Sequence, residues 1–501
     1  MAVYPNFKHG AYGVINAQGV PTARAGEGNQ AIVYIGTAPV GQTEGGAERV
    51  NVPVLVRNFA EARKLFGYSD DWAKYTLCEA MYAHFELGGV GPLVFINVLD
   101  PATHKTVAAS TASLTPANGR VIIASAEDVI IDTITVVSGS TTLTKGTHYN
   151  VEYNYDKNTV IISEASSGAL GTSALTITYY KAAPEDVAAS DVVGTSDGYG
   201  VNTGVYAVKN VYNKTGYIPA YLLAPGFSSL PAVHAALAAN ASGVNNHWNA
   251  WIFADIPIVD SLGAAVTIAT APSWKGNNGY TLDNESVFYP LAKGTDGKTY
   301  HLSVLNAVAF QSGLTENSGV PYMSGSNVPS PIIADLYFGA SAGSVVASDD
   351  IISAALNANG INSAAYVGGR WVVWGMFAAS YSQDNATNVN VFDTARMMLN
   401  YLTNDFQHRR NVDVDKPMPI NTLRMIVAEE QARLDALIGI GALTYGKVRI
   451  DGSKEARADV YQGGFTVLFD ITTTPLAKHL TAKANWTDKG FEVYFAAMEE
   501  E

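Results

Sequence analysis

At 501 residues, 48% of them hydrophobic and 15% charged, the chain is long enough for roughly two to four folded domains and too apolar to be disordered. Its 31 Lys and Arg against 45 Asp and Glu leave a formal charge of −14, which gives no general attraction to nucleic acid or anionic membranes. The single cysteine, Cys78, excludes an internal disulfide framework and suits a reducing cytoplasm.

The opening "MAVYPNFKHGAYGV" has no basic segment followed by an apolar one, so no secretory signal is expected, and no run approaches the roughly 20 apolar residues of a membrane span. Residues 1–30 are rich in Gly and small polar residues and contain one strand-like run around Tyr12 and Val14, so they read as an arm. From Ala31 the runs "AIVYIG", "VPVLV" and "PLVFINVLD" predict buried strands separated by helices. Asn58 with Glu61 has capping-box spacing, Gly67 reads as a helix stop, and Asp70 or Asp71 as the cap of a helix ending at Gly88 and Gly89. Between 106 and 184 the texture shifts to Thr, Ser and Val with period two, which predicts an inserted all-β domain. Alternation of strand and helix then resumes through "IPAYLLAPG", "LPAVHAALAANA" and "NAWIFADIP", so 31–105 and 185–345 are expected to form one discontinuous α/β core. Residues 346–488 read as a C-terminal domain. It contains a helix capped at Ser348, a strand "RWVVWGMFAASY", and a long amphipathic helix with Leu423, Ile426, Val427, Leu434, Leu437 and Ile438 on one face and Gly439 as its stop. Residues 489–501 close the chain on a predicted strand in which Phe491, Val493 and Phe495 alternate with Glu492 and Tyr494.

Motifs of chemistry fail in context. "GALTYGKV" (441–448) has phosphate-loop spacing with Lys447, but lacks the hydroxyl at 448 and follows a helix where a strand is required, so a structural turn is expected. "GASAG" (339–343) fits a nucleophile elbow with Ser341, yet no helix opens directly after it, and the sharp strand-to-helix turn is missing. No paired-Cys or HExxH spacing exists, so neither a metal nor a cofactor is expected. "HRRNVDVDKP" (408–417) reads as a solvated or subunit-contacting loop, and the pairs Asp349-Asp350 and Glu429-Glu430 as first-turn or exposed helical carboxylates. No catalytic constellation remains.

A predicted terminal strand with an apolar face needs a partner, and donation to a neighbouring copy, matched by a second strand around Tyr12 and Val14, would supply one. Such head-to-tail contacts generate rings or helical lattices. At this point the chain resembles the tail sheath proteins of contractile bacteriophages and related injection machines. The likeness lies in "KHGAYGV", "GTAPVG", "VRNFAEARKLFG", "LLAPG", "IFADIP", "VPYMSGSN" (320–327) and above all "LNANGINSAAYVGGRWVVWG" (356–375), in that order.

The resemblance implies an α/β and α+β multidomain fold, with an inserted all-β domain facing outward, a tube-facing C-terminal domain and extended strand arms. It implies a non-enzymatic subunit, stacked in hexameric rings around an inner tube protein, that contracts to drive the tube through a target envelope. Further expected partners are baseplate and tail terminator proteins, with no direct nucleic acid contact and no membrane insertion. The particle, a phage tail or a phage-tail-like bacteriocin or secretion-system sheath, would assemble in the bacterial cytoplasm. Phe491, Val493 and Phe495 would anchor the donated strand, and Lys447, Arg449 and Lys454 would touch an acidic tube surface. A serine hydrolase using Ser341 and an exported surface-layer protein are the alternatives from other classes.

Overall fold

Apolar runs without polar alternation suit strands buried on both faces, and they form the centre of the computed structural model, which describes residues 29–339, 348–385 and 391–499. With their neighbours they give eight strands, β1 (Gln30–Gly36), β2 (Val54–Val56), β3 (Leu93–Asn97), β4 (Ile218–Leu223), β5 (Trp251–Asp255), β6 (Glu285–Phe288), β7 (Ile361–Val367) and β8 (Arg370–Trp374), in one sheet of order β2-β3-β1-β4-β5-β6-β7-β8. The inner strands run parallel, whereas β2 and β8 pair antiparallel with their neighbours. Ile32, Tyr34, Phe95, Leu222, Trp251, Phe253 and Phe288 fill its layers.

Local signals explain several turns. Asn58 Oδ1 accepts the Glu61 N–H at 2.9 Å, while Glu61 reaches back to the N–H of Arg57 rather than of Asn58 itself. The next helix, Thr76–Met81, is not capped by Asp70 or Asp71: the Thr76 N–H donates to Thr37 Oγ1, so a residue beyond β1 closes the end instead.

Helix α1 (Leu302–Glu316) crosses the sheet with its N-terminus aimed at two buried carboxylates. Asp255, at the end of β5, accepts the N–H and hydroxyl of Ser303; Glu79 accepts the N–H and Nδ1 of His301 at 2.6 Å each. The positive end of the helix and a protonated imidazole together compensate these charges. Burial opposes the charge on His301, but Glu79 and Asp255 outweigh it and raise its pKa to about 9.

Between β3 and β4 lie two further sheets, one of Ser110–Leu114, Leu175–Tyr179, Thr135–Ser138 and Thr141–Leu143, the other of Arg120–Ile123, Thr159–Glu164 and Tyr149–Asn154. They share their own core of Val136, Tyr149, Val160, Ile162 and Ile177. They are also tied to the main body: Tyr75 donates to Asp128 at 2.6 Å, Gln42 to the Glu127 carbonyl at 2.9 Å, and Tyr155 to the Arg63 carbonyl at 2.7 Å.

The expected boundary at 346 is not where the architecture changes. Residues 361–374 complete the central sheet, because β7, buried over residues 361–365, pairs parallel with β6 and antiparallel with β8. A separate cluster forms only with α2 (Asp393–Arg410), α3 (Ile420–Gly439) and the antiparallel hairpin of β9 (Leu443–Ile450) and β10 (Val467–Thr473), around Met398, Tyr401, Leu434, Leu437, Leu443 and Val448. Helix α3 runs through Gly439, and the left-handed residue after it is Gly441, at φ 79°.

The closing strand is also corrected. Residues Lys489–Phe491 form a 3₁₀ turn and Glu492–Glu499 a helix, α4. A lone strand leaves its backbone groups unpaired, whereas a helix pairs them locally, and Ala496, Ala497, Met498 and Glu499 are strong helix formers. The predicted N-terminal arm with Tyr12 and Val14 lies outside the described residues.

The raised His301 pKa carries a sign. Its stabilising charge is fully present below the unfolded value of about 6.5 and fades as pH rises through about 9. Denaturant midpoints of the wild type and of Glu79→Gln, measured from pH 6 to 10, should therefore differ most at the acid end and converge above pH 9; a constant gap would refute the linkage.

Candidate interaction site

Helices α2 and α3 are joined by charge rather than by apolar packing alone. Glu430, 1% exposed, receives Arg409 Nη1 at 2.6 Å and Nη2 at 2.7 Å, and Arg410 Nε at 2.9 Å and Nη2 at 2.7 Å. Asp405 takes Arg409 Nε at 2.7 Å and also pairs with Arg433, which donates to the Tyr401 hydroxyl at 3.1 Å. Burial opposes ionisation of Glu430, but the two guanidiniums outweigh it and hold its carboxyl below the usual range. Glu430 is thus the hub of a network and not the exposed carboxylate expected from its sequence position. Arg409 and Arg410, expected in a solvated loop, end α2 and are committed to carboxylates, which leaves no anion site there.

The hairpin lies against α3 at one point of close approach. A Cβ on Gly446 would sit 3.0 Å from Leu434 Cβ and Cδ1, so the second glycine of the phosphate-loop lookalike is there to let the helix close on β9. One turn earlier, Gln431 Nε2 donates to the Gly446 carbonyl at 3.1 Å and to Asp435 at 2.9 Å, and its Oε1 accepts the Val448 N–H at 2.9 Å. A side-chain amide therefore occupies the outer edge of β9 as a neighbouring strand would.

The expected basic patch is mixed in sign. Arg449 Nε donates to Asp470 on β10 at 2.8 Å, and Lys447 stands opposite the same Asp470 in the ladder. Lys454 opens the short helix Lys454–Val460. Nearby, Val412, Val414, Ile420 and Met425 are exposed along the α2–α3 turn and the outer face of α3.

After β10 the chain crosses to the central sheet, where Lys478 Nζ donates to the Tyr381 hydroxyl at 2.8 Å and lies near the Phe377 and Tyr381 rings. It borders a cleft of about 810 Å³ walled by Met323, Val328, Trp374 and Phe377. Beyond it the segment leaves the body: Leu480 is 91% and Trp486 82% exposed, and Phe491, Val493, Tyr494 and Phe495 are exposed as well. Among the candidate arm residues, Phe491, Val493 and Phe495 are thus together on one exposed segment.

The stretch 356–375 and the stretch 320–327 meet at this joint. Gly360 and Gly375 have positive φ and no room for a Cβ, the first against the carbonyls of Tyr381 and Ala378, the second against Asn362 and Asn357. Asn362 bonds both the N–H and the carbonyl of Phe377. Ser326 accepts the Gly375 N–H, Ser324 donates to Asp393 at the start of α2, and Asn327 donates its N–H to Val373, covering the edge of β8. Their role is architectural.

Ser341 lies outside the described residues. Ser348 does precede a helix, Asp349–Ala355, whose first turn holds Asp349 and Asp350. Among the described residues no group of three or more His, Cys, Asp or Glu could hold a metal, and no helix is long and apolar enough to cross a membrane.

No protein-family model matches the chain. It is similar to the tail sheath protein of Burkholderia phage BcepMu, 26% identical over 468 residues that cover 91% of this chain and 92% of that one. Among solved structures it is similar to the helical sheath of the anti-feeding prophage in its contracted state, at TM-score 0.55 and 15% identity, covering 97% of this chain and all of that one. It is likewise similar to a sheath tail protein from Listeria innocua, at TM-score 0.51 and 12% identity, covering 91% and 96% of the two chains.

The Glu430 hub can be tested without assembly. Glu430→Gln leaves two arginines short of a carboxylate, and because Arg409 is a third exposed the loss is expected at about 2 kcal/mol rather than the larger cost of a fully buried pair. Thermal unfolding of the free subunit reads it; an unchanged midpoint would show the network to be neutral.

Proposed function

We propose that the chain is a structural subunit of a contractile tail sheath, and that its copies polymerise helically around an inner tube and contract to drive that tube through a cell envelope. The observation that carries the linkage is the segment after Lys478, which exposes a row of large apolar residues and finds no partner among the described residues. In a polymer the partner is a neighbouring copy, which takes residues 491–495 as an added strand, with Phe491, Val493 and Phe495 as anchors and the main chain supplying the hydrogen bonds. Helices shorter than about 12 residues are marginal in water, so unwinding α4 to donate the strand costs little. The N-terminal run with Tyr12 and Val14 would be a second such arm.

The body of the subunit suits mechanical work. A central sheet buried on both faces, and a β insertion tied to it by several hydrogen bonds, move as rigid pieces, while the arms keep copies connected as those pieces shift. Energy stored in the lattice requires no nucleotide. The cluster of α2, α3 and the hairpin would face the tube, with Lys447, Arg449 and Lys454 as charged contacts and Ile420 and Met425 as apolar ones. Baseplate and terminator proteins would bound the polymer, whether in a phage tail, a bacteriocin-like particle or a secretion machine, and assembly would take place in the host cytoplasm.

Truncation after Asp488 should give a folded subunit with an unchanged unfolding midpoint that no longer forms tubes by negative-stain microscopy; tubes of normal length would refute the arm as the link. Reversing Lys447 and Arg449 to Glu should weaken tube-templated assembly at low salt by about tenfold and leave it unaffected at 1 M salt. Equal loss at both salt concentrations would point to misfolding of the hairpin instead.

A further inference from the structure

We propose that the loop 195–203 is a preformed knob that seats Tyr199 in an apolar cleft beside α1 of a second copy of this chain. This rests on the sheath reading and names one contact between copies. The loop is built around Asp197. Its Oδ1 accepts the N–H groups of Tyr199 at 2.7 Å and Val201 at 3.0 Å, and its own N–H donates to the Val201 carbonyl at 3.1 Å. At the root, the Thr195 N–H donates to Thr203 Oγ1 at 2.8 Å and the Thr203 N–H to the Thr195 carbonyl at 2.9 Å. Asn202 Nδ2 donates to Asn210 Oδ1 at 2.9 Å, and the Gly204 N–H to Asn51 Oδ1 at 2.7 Å, which ties the root to the body. On this fixed backbone Tyr199 is 96% exposed. A loop already ordered loses little freedom on binding, and tyrosine is a favoured anchor of protein interfaces.

The receiving cleft, about 350 Å³, lies between α1 and residues 328–332. Leu305, Val308 and Ile332 are among its apolar walls, and the only polar side chains among the described residues that line it are the hydroxyls of Thr295, Ser312 and Ser330. An uncharged ring ending in a hydroxyl matches that lining. Knob and cleft cannot meet within one chain, because they stand on opposite faces of the central sheet. Phe310 of α1 packs on Tyr221 and Phe253, with ring centroids 4.9 and 5.9 Å apart, so α1 covers the face of Phe253. Phe253 pairs with Ser286, and Glu285, the adjacent residue of β6, points to the other face. There it bonds His234 at 2.7 Å, which places the helix Pro231–Ala241 on that face. The helices on either side of the loop, Ala189–Val193 and Gly204–Asn210, both pack against Pro231–Ala241. A knob on one face and a socket on the other make a heterologous contact, which repeats from copy to copy and suits a helical polymer.

Cysteine cross-linking tests the contact, since the native Cys78 is buried. A chain carrying Tyr199→Cys and Ser312→Cys, assembled at raised protein concentration to offset the lost ring and treated with a short bismaleimide, should run as a ladder of covalent multimers from tubes and as a monomer when free. Leu262 is the control, because Asp260 clamps its loop in the same way, accepting the N–H groups of Leu262 and Ala264 at 2.9 and 2.8 Å, and leaves it 90% exposed. Tubes of the Tyr199→Cys chain that give no ladder, or an equal ladder from Leu262→Cys with Ser312→Cys, would overturn the proposal and leave the sheath reading standing. Tyr199→Ala should keep the unfolding midpoint of the free subunit and raise the protein concentration needed for half-assembly about tenfold. Assembly of that variant at the wild-type concentration would equally overturn the contact. Failure of the wild-type chain to form tubes at all would overturn the sheath reading and this proposal with it.

Discussion

A strand's edge is a row of N–H and C=O groups that must be paired, and the way this chain disposes of its edges governs what it can become. At one side of the central sheet, β2 is only three residues long and offers little edge. At the other, β8 is covered by Asn327 and Ser330, which donate to Val373 and Trp371. In the small hairpin the Gln431 amide occupies the outer edge of β9. The same rule acts on residues 489–499, which pair with no strand among the described residues and fold on themselves as a turn and a helix. Covering an edge in these ways leaves few strand groups free for unintended pairing.

The joint between the central sheet and the C-terminal cluster shows how little of this depends on unusual chemistry. Glycines at 360, 375 and 446 remove a side chain where backbone or helix must approach closely, and asparagines at 357, 362 and 404 bond the main chain of neighbouring segments. The carboxylates with most reason to be reactive, Asp255 and Glu79, are absorbed into the N-terminus of α1, and Glu430 is absorbed by two arginines. Groups that resemble a catalytic inventory are consumed in holding the fold together.

Much of the fold was legible in sequence where one residue type at one spacing decides the outcome. Uninterrupted apolar runs marked β1, β3, β4, β5 and β8, and Asn58 marked a helix start. What escaped depends on contacts between segments far apart in the chain. Glu430 looks like any helical carboxylate until α2 lies beside α3, some 20 residues away. Gln431 carries no pattern at all, and only the register of β9 gives it meaning. Gly446 was visible, but as part of a nucleotide motif whose second glycine has a steric cause. Residues 491–498 satisfy two periods at once: Phe491, Val493 and Phe495 for a strand, Phe491, Tyr494, Phe495 and Met498 for a helix. Sequence cannot choose between them, because the choice belongs to whether a partner edge is present.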